Sequence, residues 1–416
     1  MNRRTFLASA AALAIGGGAA LAGCGSNQPA GGGSSGGGPI SFLSWDGEAT
    51  MKPVLDGFKA AHPDIAVTAT YSPPVAEYIQ TLQTRVLSKK APDVFLIAAE
   101  NKTNLIGGKA VENLAGKPFM ANVPEFNRKT YAGEDGEFGL SIASWGAGIL
   151  FNKDLLKKVG TESVPGTWDE FLALLTKLKA ADIPGYLESL QGMPTILAAF
   201  LGAVNASTDN TMDAKIFDGS ATFVDYWVEP LTQYNRMYAE GLVTTNTVGL
   251  KGDQVRDEFA KGKLALMSTG PWDLPTIREA APDIDMEMVL VPGASGLSPF
   301  LAGAASPGYA ISSASENKGS AEAFLTYLGS KEGVAAWQKV SGAISVTSDV
   351  EPTLDAALAP IVKDVRSGNI YLPQIAWKRS EDILNVEATA QIQQMVQGKV
   401  TPEQVAQSLD AKLASS

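Results

Sequence analysis

The sequence predicts an α/β protein whose sheets are mostly parallel and covered by helices, and three features carry that expectation. Strand-like and helix-like segments alternate from residue 40 onward, the order that a parallel sheet with helical crossovers requires. The chain beyond Pro39 is long enough for two domains of about 100–200 residues each. The hydrophobic content of the whole chain, 45%, suits a packed interior.

The elements follow in order. Ile40-Ser41-Phe42-Leu43-Ser44 reads as a strand, and the polar stretch Trp45-Asp46-Gly47-Glu48 as the loop after it. Met51, Val54, Leu55 and Phe58 recur at helical spacing and predict a helix stopped by His62-Pro63. Alternation over Ile65–Thr70 predicts a second strand; Tyr78, Leu82, Val86 and Leu87 predict a second helix; Val94–Ile97 predicts a third strand. Ligands of such sheets bind at the carboxyl ends of strands, so the loops Trp45–Glu48, Tyr71–Pro74 and Ala98–Asn101 are the first candidates. The rest reads as mostly helical. Thr167-Trp168-Asp169-Glu170 and Thr401-Pro402-Glu403-Gln404 have the form of capping boxes, the second with proline at the first helical position.

Composition narrows the function. The net charge is −11, or −13 once Arg3 and Arg4 are set aside with the first segment, so nucleic acid is not an expected partner. Cys24 is the only cysteine, which leaves the body without disulfides, thiolate metal sites or a cysteine nucleophile. His62 is the only histidine and reads as a solvent-exposed helix stop, so a histidine triad or a multi-histidine metal site has no material to draw on. Carboxylates suitable for glycoside hydrolysis abound, but no pair stands out. The expectation is a protein that is not an enzyme and needs no cofactor or metal.

The first two dozen residues carry an export signature. Arg3 and Arg4 precede an Ala/Leu/Gly-rich stretch from Phe6 to Ala22, closed by Leu21-Ala22-Gly23-Cys24. The paired arginines resemble a twin-arginine signal, and the ending resembles a lipoprotein cleavage box whose cysteine is lipidated. Residues 1–23 are therefore expected to be a signal peptide. Residues 24–38, nearly all Gly, Ser, Asn, Gln, Pro and Ala, are expected to be a lipidated Cys24 on a flexible tether at the extracytoplasmic face of the cell membrane.

Five stretches resemble the extracellular solute-binding proteins of carbohydrate importers, the maltose-binding-protein-like family 1. They are Ala91-Pro92-Asp93-Val94-Phe95; Ile149-Leu150-Phe151-Asn152-Lys153-Asp154-Leu155-Leu156; Gly166-Thr167-Trp168-Asp169-Glu170-Phe171; Gly270-Pro271-Trp272; and Ser313-Ala314-Ser315-Glu316-Asn317-Lys318 leading into Ala323-Phe324-Leu325. They stand in family order across nearly the whole body. The resemblance implies the two-lobed type II periplasmic-binding-protein fold with hinge crossings and the ligand between the lobes. On that basis one lobe is expected at 40–143 plus 304–329, and the other at 146–300 plus 333–416. The implied role is capture of a mono- or oligosaccharide by a monomer and its delivery to the permease subunits of an ABC importer. A glycerophosphodiester, polyamine or metal chelate ligand, or a surface adhesion or scaffold role, are the alternatives.

A pyranose offers apolar C–H faces and a rim of hydroxyls, so its site needs aromatic faces and planar carboxylate or amide groups. Trp168, Trp227 and Trp337 lie in amphipathic patterns and are expected in the core, whereas Trp45, Trp145, Trp272 and Trp377 lie in loops or at element ends. The resemblance places Trp272, followed by Asp273, where a family member stacks a sugar, and Trp145 where maltose-binding protein has a carboxylate, which argues against maltose. Asp46, Glu48, Glu100 and Asn101 are candidates for hydroxyl pairing. The resemblance puts Glu188 and Gln191 in a family-variable ligand segment and Trp377 where relatives offer another aromatic to the cleft; Tyr309 lies beside a predicted crossing strand, and Gly308 would let a ligand approach the backbone.

Overall fold

The computed structural model describes residues 38–98, 101–341 and 343–416. The expected signal peptide, Cys24 and Glu100 lie outside the described residues, as does the tether apart from Gly38. Among the described residues no helix is long and apolar enough to cross a membrane.

Three parallel strands found the first sheet: β1 (Ile40–Ser44), β2 (Val67–Tyr71) and β3 (Val94–Ile97), with β1 between the other two. The second strand starts two residues later than expected because the Ile65 amide donates to the His62 carbonyl, which keeps the turn after the first helix closed. Helices Glu48–Ala61 and Val75–Leu87 link these strands, and Met51, Val54, Phe58, Tyr78 and Leu82 bury their apolar sides against the sheet. Full burial of side chains of this size contributes about 1.5–3 kcal/mol each. A short hairpin, β4 (Ala132–Gly133) with β5 (Gly136–Glu137), follows.

The long strand β6 (Ala143–Asn152) carries the chain to a second sheet. Its other strands are β7 (Tyr186–Leu187), β8 (Leu266–Thr269), β9 (Met286–Val289), β10 (Leu301–Ala305), β12 (Ile344–Ser345) and β13 (Ile370–Tyr371). The order is β13-β10-β6-β8-β7, with β9 and β12 also pairing to β6. The β7–β8 and β10–β13 pairs are parallel, while β6 is antiparallel to all its partners, so the second sheet is mixed. Strand β11 (Gly308–Ile311) returns to the first sheet, antiparallel to β3.

Each sheet has its own core. Phe42, Leu43, Leu96, Tyr309 and Phe324 belong to the first. Phe151, Phe171, Phe200, Trp227 and Leu409 belong to the second, whose sheet is also covered on its other face by Leu150, Met267, Leu301 and Ile361. One boundary differs from the expectation. Val334, Trp337 and Val350 belong to the first core rather than to the lobe at 333–416. Val334 and Trp337, three residues apart on helix Lys331–Ser341, share a face, and that helix lies against Glu48–Ala61.

Several of the family-resembling stretches, and the last capping box, serve the scaffold. Asp93 accepts from the Ser41 amide, the Ser41 hydroxyl and the Ser315 hydroxyl at 2.6–2.8 Å, so it ties β1 to the return after β11. Burial works to raise its pKa, but these hydrogen bonds hold the carboxyl below its usual range. Asn152 caps helix Lys153–Lys157 by accepting from the Leu155 amide. Thr401 and Gln404 form the full capping box. Thr167 opens its helix without one, since its hydroxyl donates to the Glu170 carboxylate.

Candidate functional site

Register brings the two lobes' expected residues to one crossing. Ala304 on β10 pairs with Trp145, and Gly308, four residues on, pairs with Ile97 at the carboxyl end of β3. Trp145 and the carboxyl ends of the first sheet therefore flank the same short segment. On β8, Thr269 pairs with Gly148, and the next residues fold back beside β6 toward Trp145. Pro271 is buried in a tight turn, Pro271–Asp273, and the Trp272 indole lies directly over Gly270, where a Cβ would collide with the ring.

This turn aims Trp272 outward. Its side chain is 52% exposed, and its ring meets Trp145 edge to face with centroids 5.4 Å apart. Trp145 is half-buried and rests on Ala147, Ala198 and Ala302, with Met193 and Leu372 beside it. Asp273 is already engaged. It accepts from the Thr269 hydroxyl at 2.6 Å and faces Arg256 at 3.7 Å, and burial still raises its pKa.

On the first lobe, Trp45 is half-buried and packs edge to face on Tyr78, centroids 5.3 Å apart. Asp46 follows it. Its amide donates to the Ser44 hydroxyl oxygen, but among the described residues no donor reaches its carboxylate, and burial pushes its pKa up to about 6. Glu48 is exposed at the first turn of its helix. Asn101 is buried, and its side-chain oxygen accepts from the Ala98 amide. Gln191 is exposed.

Four expected site residues turn inward. Trp377 is fully buried in the second core, stacked on Trp227 and edge to face with Phe223, because the turn Pro373–Ala376 docks it there. Tyr309 is fully buried in the first core beside Phe42. Gly308 is covered by the Tyr131 ring, so its missing side chain accommodates that ring rather than a ligand. Glu188 is buried, with its carboxylate accepting from the Tyr234 hydroxyl at 2.8 Å and from the Thr195 amide at 3.2 Å. The latter bond satisfies a free amide at the start of helix Thr195–Ser207. Burial pushes the Glu188 pKa up to about 7 against the pull of these hydrogen bonds.

A cleft of about 1590 Å³ lies between first-lobe helix Lys102–Gly107 and second-lobe residues that include Tyr371, Leu372 and Ile375, with Gly303 and Ala304 of the crossing at its wall. Of the expected residues Trp377 borders it, and Leu372 joins it to the Trp145 shelf. Met193, Leu372 and Lys102 were not singled out from the sequence. A methionine or leucine before proline carries no ligand signal by itself, and Lys102 differs from its expected neighbours Glu100 and Asn101 in charge.

Comparison with known proteins adds to this geometry. A family model described as bacterial extracellular solute-binding protein matches residues 45–335. The chain is 25% identical over 325 residues to a multiple sugar-binding protein of Streptococcus mutans, covering 76% of each chain. A family 1 extracellular solute-binding protein from Bifidobacterium longum subsp. infantis superposes with a TM-score of 0.80 at 30% identity, over 91% of this chain and 99% of that one. The apo form of RafE from Streptococcus pneumoniae superposes with a TM-score of 0.76 at 20% identity, over 92% of this chain and 99% of that one.

Proposed function

Because the chain belongs to the bacterial extracellular solute-binding proteins, we propose that it captures a mono- or oligosaccharide, leaves it chemically unchanged, and delivers it to the permease of an ABC importer. The observation that carries the sugar reading is the Trp272 indole, 52% exposed and braced by Trp145. An exposed indole held rigid by a second one offers a flat apolar face at little cost in side-chain entropy, which suits the C–H face of a pyranose. Asp46 supplies the polar half: a desolvated carboxylate with no donor among the described residues can take two sugar hydroxyls. The name of the Streptococcus mutans relative supports the same ligand class.

Binding between lobes couples capture to shape, since contacts on both sides favour the closed arrangement. Titration of a sugar panel followed by tryptophan fluorescence tests the proposal, with scattering on the same samples. A cognate sugar should quench or shift the emission saturably and reduce the radius of gyration. No response across mono- and oligosaccharides would overturn the sugar reading.

The export signature extends the proposal to anchoring. Cys24 carries lipid and holds the domain at the membrane through the Gly/Ser tether. Cys24→Ala should move the protein to the soluble fraction, and mass spectrometry that finds an unmodified Cys24 on membrane-bound protein would refute the anchor.

A further inference from the structure

We propose that Lys102 and Glu381 form a polar strut between the lobes that biases them toward closure before any sugar is bound. The two residues belong to elements anchored in different cores. Lys102 opens the helix Lys102–Gly107, whose Leu105 is buried in the first core. Ile375 and Glu381 flank Trp377, which is buried with Leu384 in the second core. Two hydrogen bonds join these elements away from the crossing strands. The Lys102 ammonium donates to the Ile375 carbonyl at 2.6 Å, and the Thr103 amide donates to the buried Glu381 carboxylate at 3.2 Å.

Electrostatics adds to the contact. Desolvation lowers the Lys102 pKa, while the carboxylates of Glu381 and Asp213 act to keep it charged. A desolvated ammonium is costly unless acceptors and opposite charges surround it. Here those acceptors come from the other lobe, so separating the lobes strips Lys102 of its partner carbonyl and Glu381 of the Thr103 amide. Helix Lys102–Gly107 starts just after the carboxyl end of β3, the edge that also carries Trp45 and Asp46. A contact at that edge draws the ligand loops toward the second lobe.

Trp377 thereby acquires a role other than stacking, because its burial fixes the segment that receives the strut. Apparent affinity rises with the fraction of molecules already in the binding-competent arrangement. The inference rests on the proposed sugar reading for its effect on affinity, but not for its effect on shape.

The test uses Lys102→Met, Glu381→Ala and Glu381→Gln in the full chain, measured by small-angle scattering without sugar and by calorimetry with the sugar that the panel identifies. Lys102→Met and Glu381→Ala should enlarge the sugar-free radius of gyration and weaken binding by about tenfold, the scale of one charge-assisted hydrogen bond. Glu381→Gln keeps an acceptor for the Thr103 amide and should recover most of both effects. Lys102→Met and Glu381→Ala each leave a buried polar group without its partner and should lower the melting temperature, whereas Glu381→Gln should melt within a few degrees of wild type, so scattering is measured well below every variant's melting point. An unchanged or smaller radius in both Lys102→Met and Glu381→Ala would overturn the strut. If no sugar binds the wild type, the sugar reading fails while the scattering comparison still decides this one.

Discussion

The Trp272 and Trp145 rings meet edge to face, 76° apart in plane and 5.4 Å between centroids, although they stand 127 positions apart in the chain. Neither tryptophan is fully buried: Trp272 is exposed, and Trp145 is half-buried against Ala147, Ala198 and Ala302. Losing the Trp272 ring should therefore cost binding more than folding. Trp272→Ala is expected to weaken sugar binding by about 30- to 1000-fold, the equivalent of roughly 2–4 kcal/mol for a central aromatic contact. Calorimetry and thermal melting on the same variant check this. Full affinity with a large drop in melting temperature would move the stacking role elsewhere.

The opposite pattern is expected of Trp377, which is 0% exposed between Trp227 and Phe223. Trp377→Ala leaves a cavity there and should destabilise the protein by about 3–5 kcal/mol, the range of large-to-small core changes. Trp377→Phe should cost less than half of that. Denaturant midpoints for the two variants decide the matter, and a stability loss below about 1 kcal/mol in Trp377→Ala would contradict its place in the core.

The contrast between these tryptophans shows what the sequence could and could not reveal. Local pattern located β1 and β3 to the residue, and two of the family stretches meet in a scaffold tie, Asp93 to Ser315. Trp272, expected in a loop, is exposed in the turn that follows Gly270. Trp377, Tyr309 and Glu188 misled for one shared reason. Their surroundings are set by distant partners, Trp227 for Trp377, Phe42 for Tyr309, and Tyr234 for Glu188. No local signal distinguishes a loop aromatic facing solvent from one whose loop folds back into a core.

Glu188 makes the inward turn measurable. Burial raises its pKa from 4.5 to about 7, so the fold prefers the protonated carboxyl. The sign follows: the contribution is fully present below the unfolded value near 4.5 and is lost as pH rises through about 7. Wild-type urea midpoints should fall between about pH 4.5 and 7 more steeply than those of Glu188→Gln, whose amide cannot ionise, and level off above that. Parallel curves would mean that Glu188 stays charged throughout.

Asp46 should impose the reverse dependence on binding. Burial alone raises its carboxyl to about 6, with no donor among the described residues to hold the charge. Sugar hydroxyls donate to a carboxylate better than to its protonated form, so the bound sugar lowers this pKa and favours the ionised state. Affinity should therefore be highest above about pH 6 and decline as pH falls through that value. Asp46→Asn should bind more weakly at pH 7.5 by about tenfold, the worth of a hydrogen bond to a charged acceptor, and should lose most of the decline. Calorimetric titrations of both proteins from pH 5 to pH 8 separate this from a general acid effect on the fold. A decline of equal depth in the two proteins would show that Asp46 does not hold the sugar.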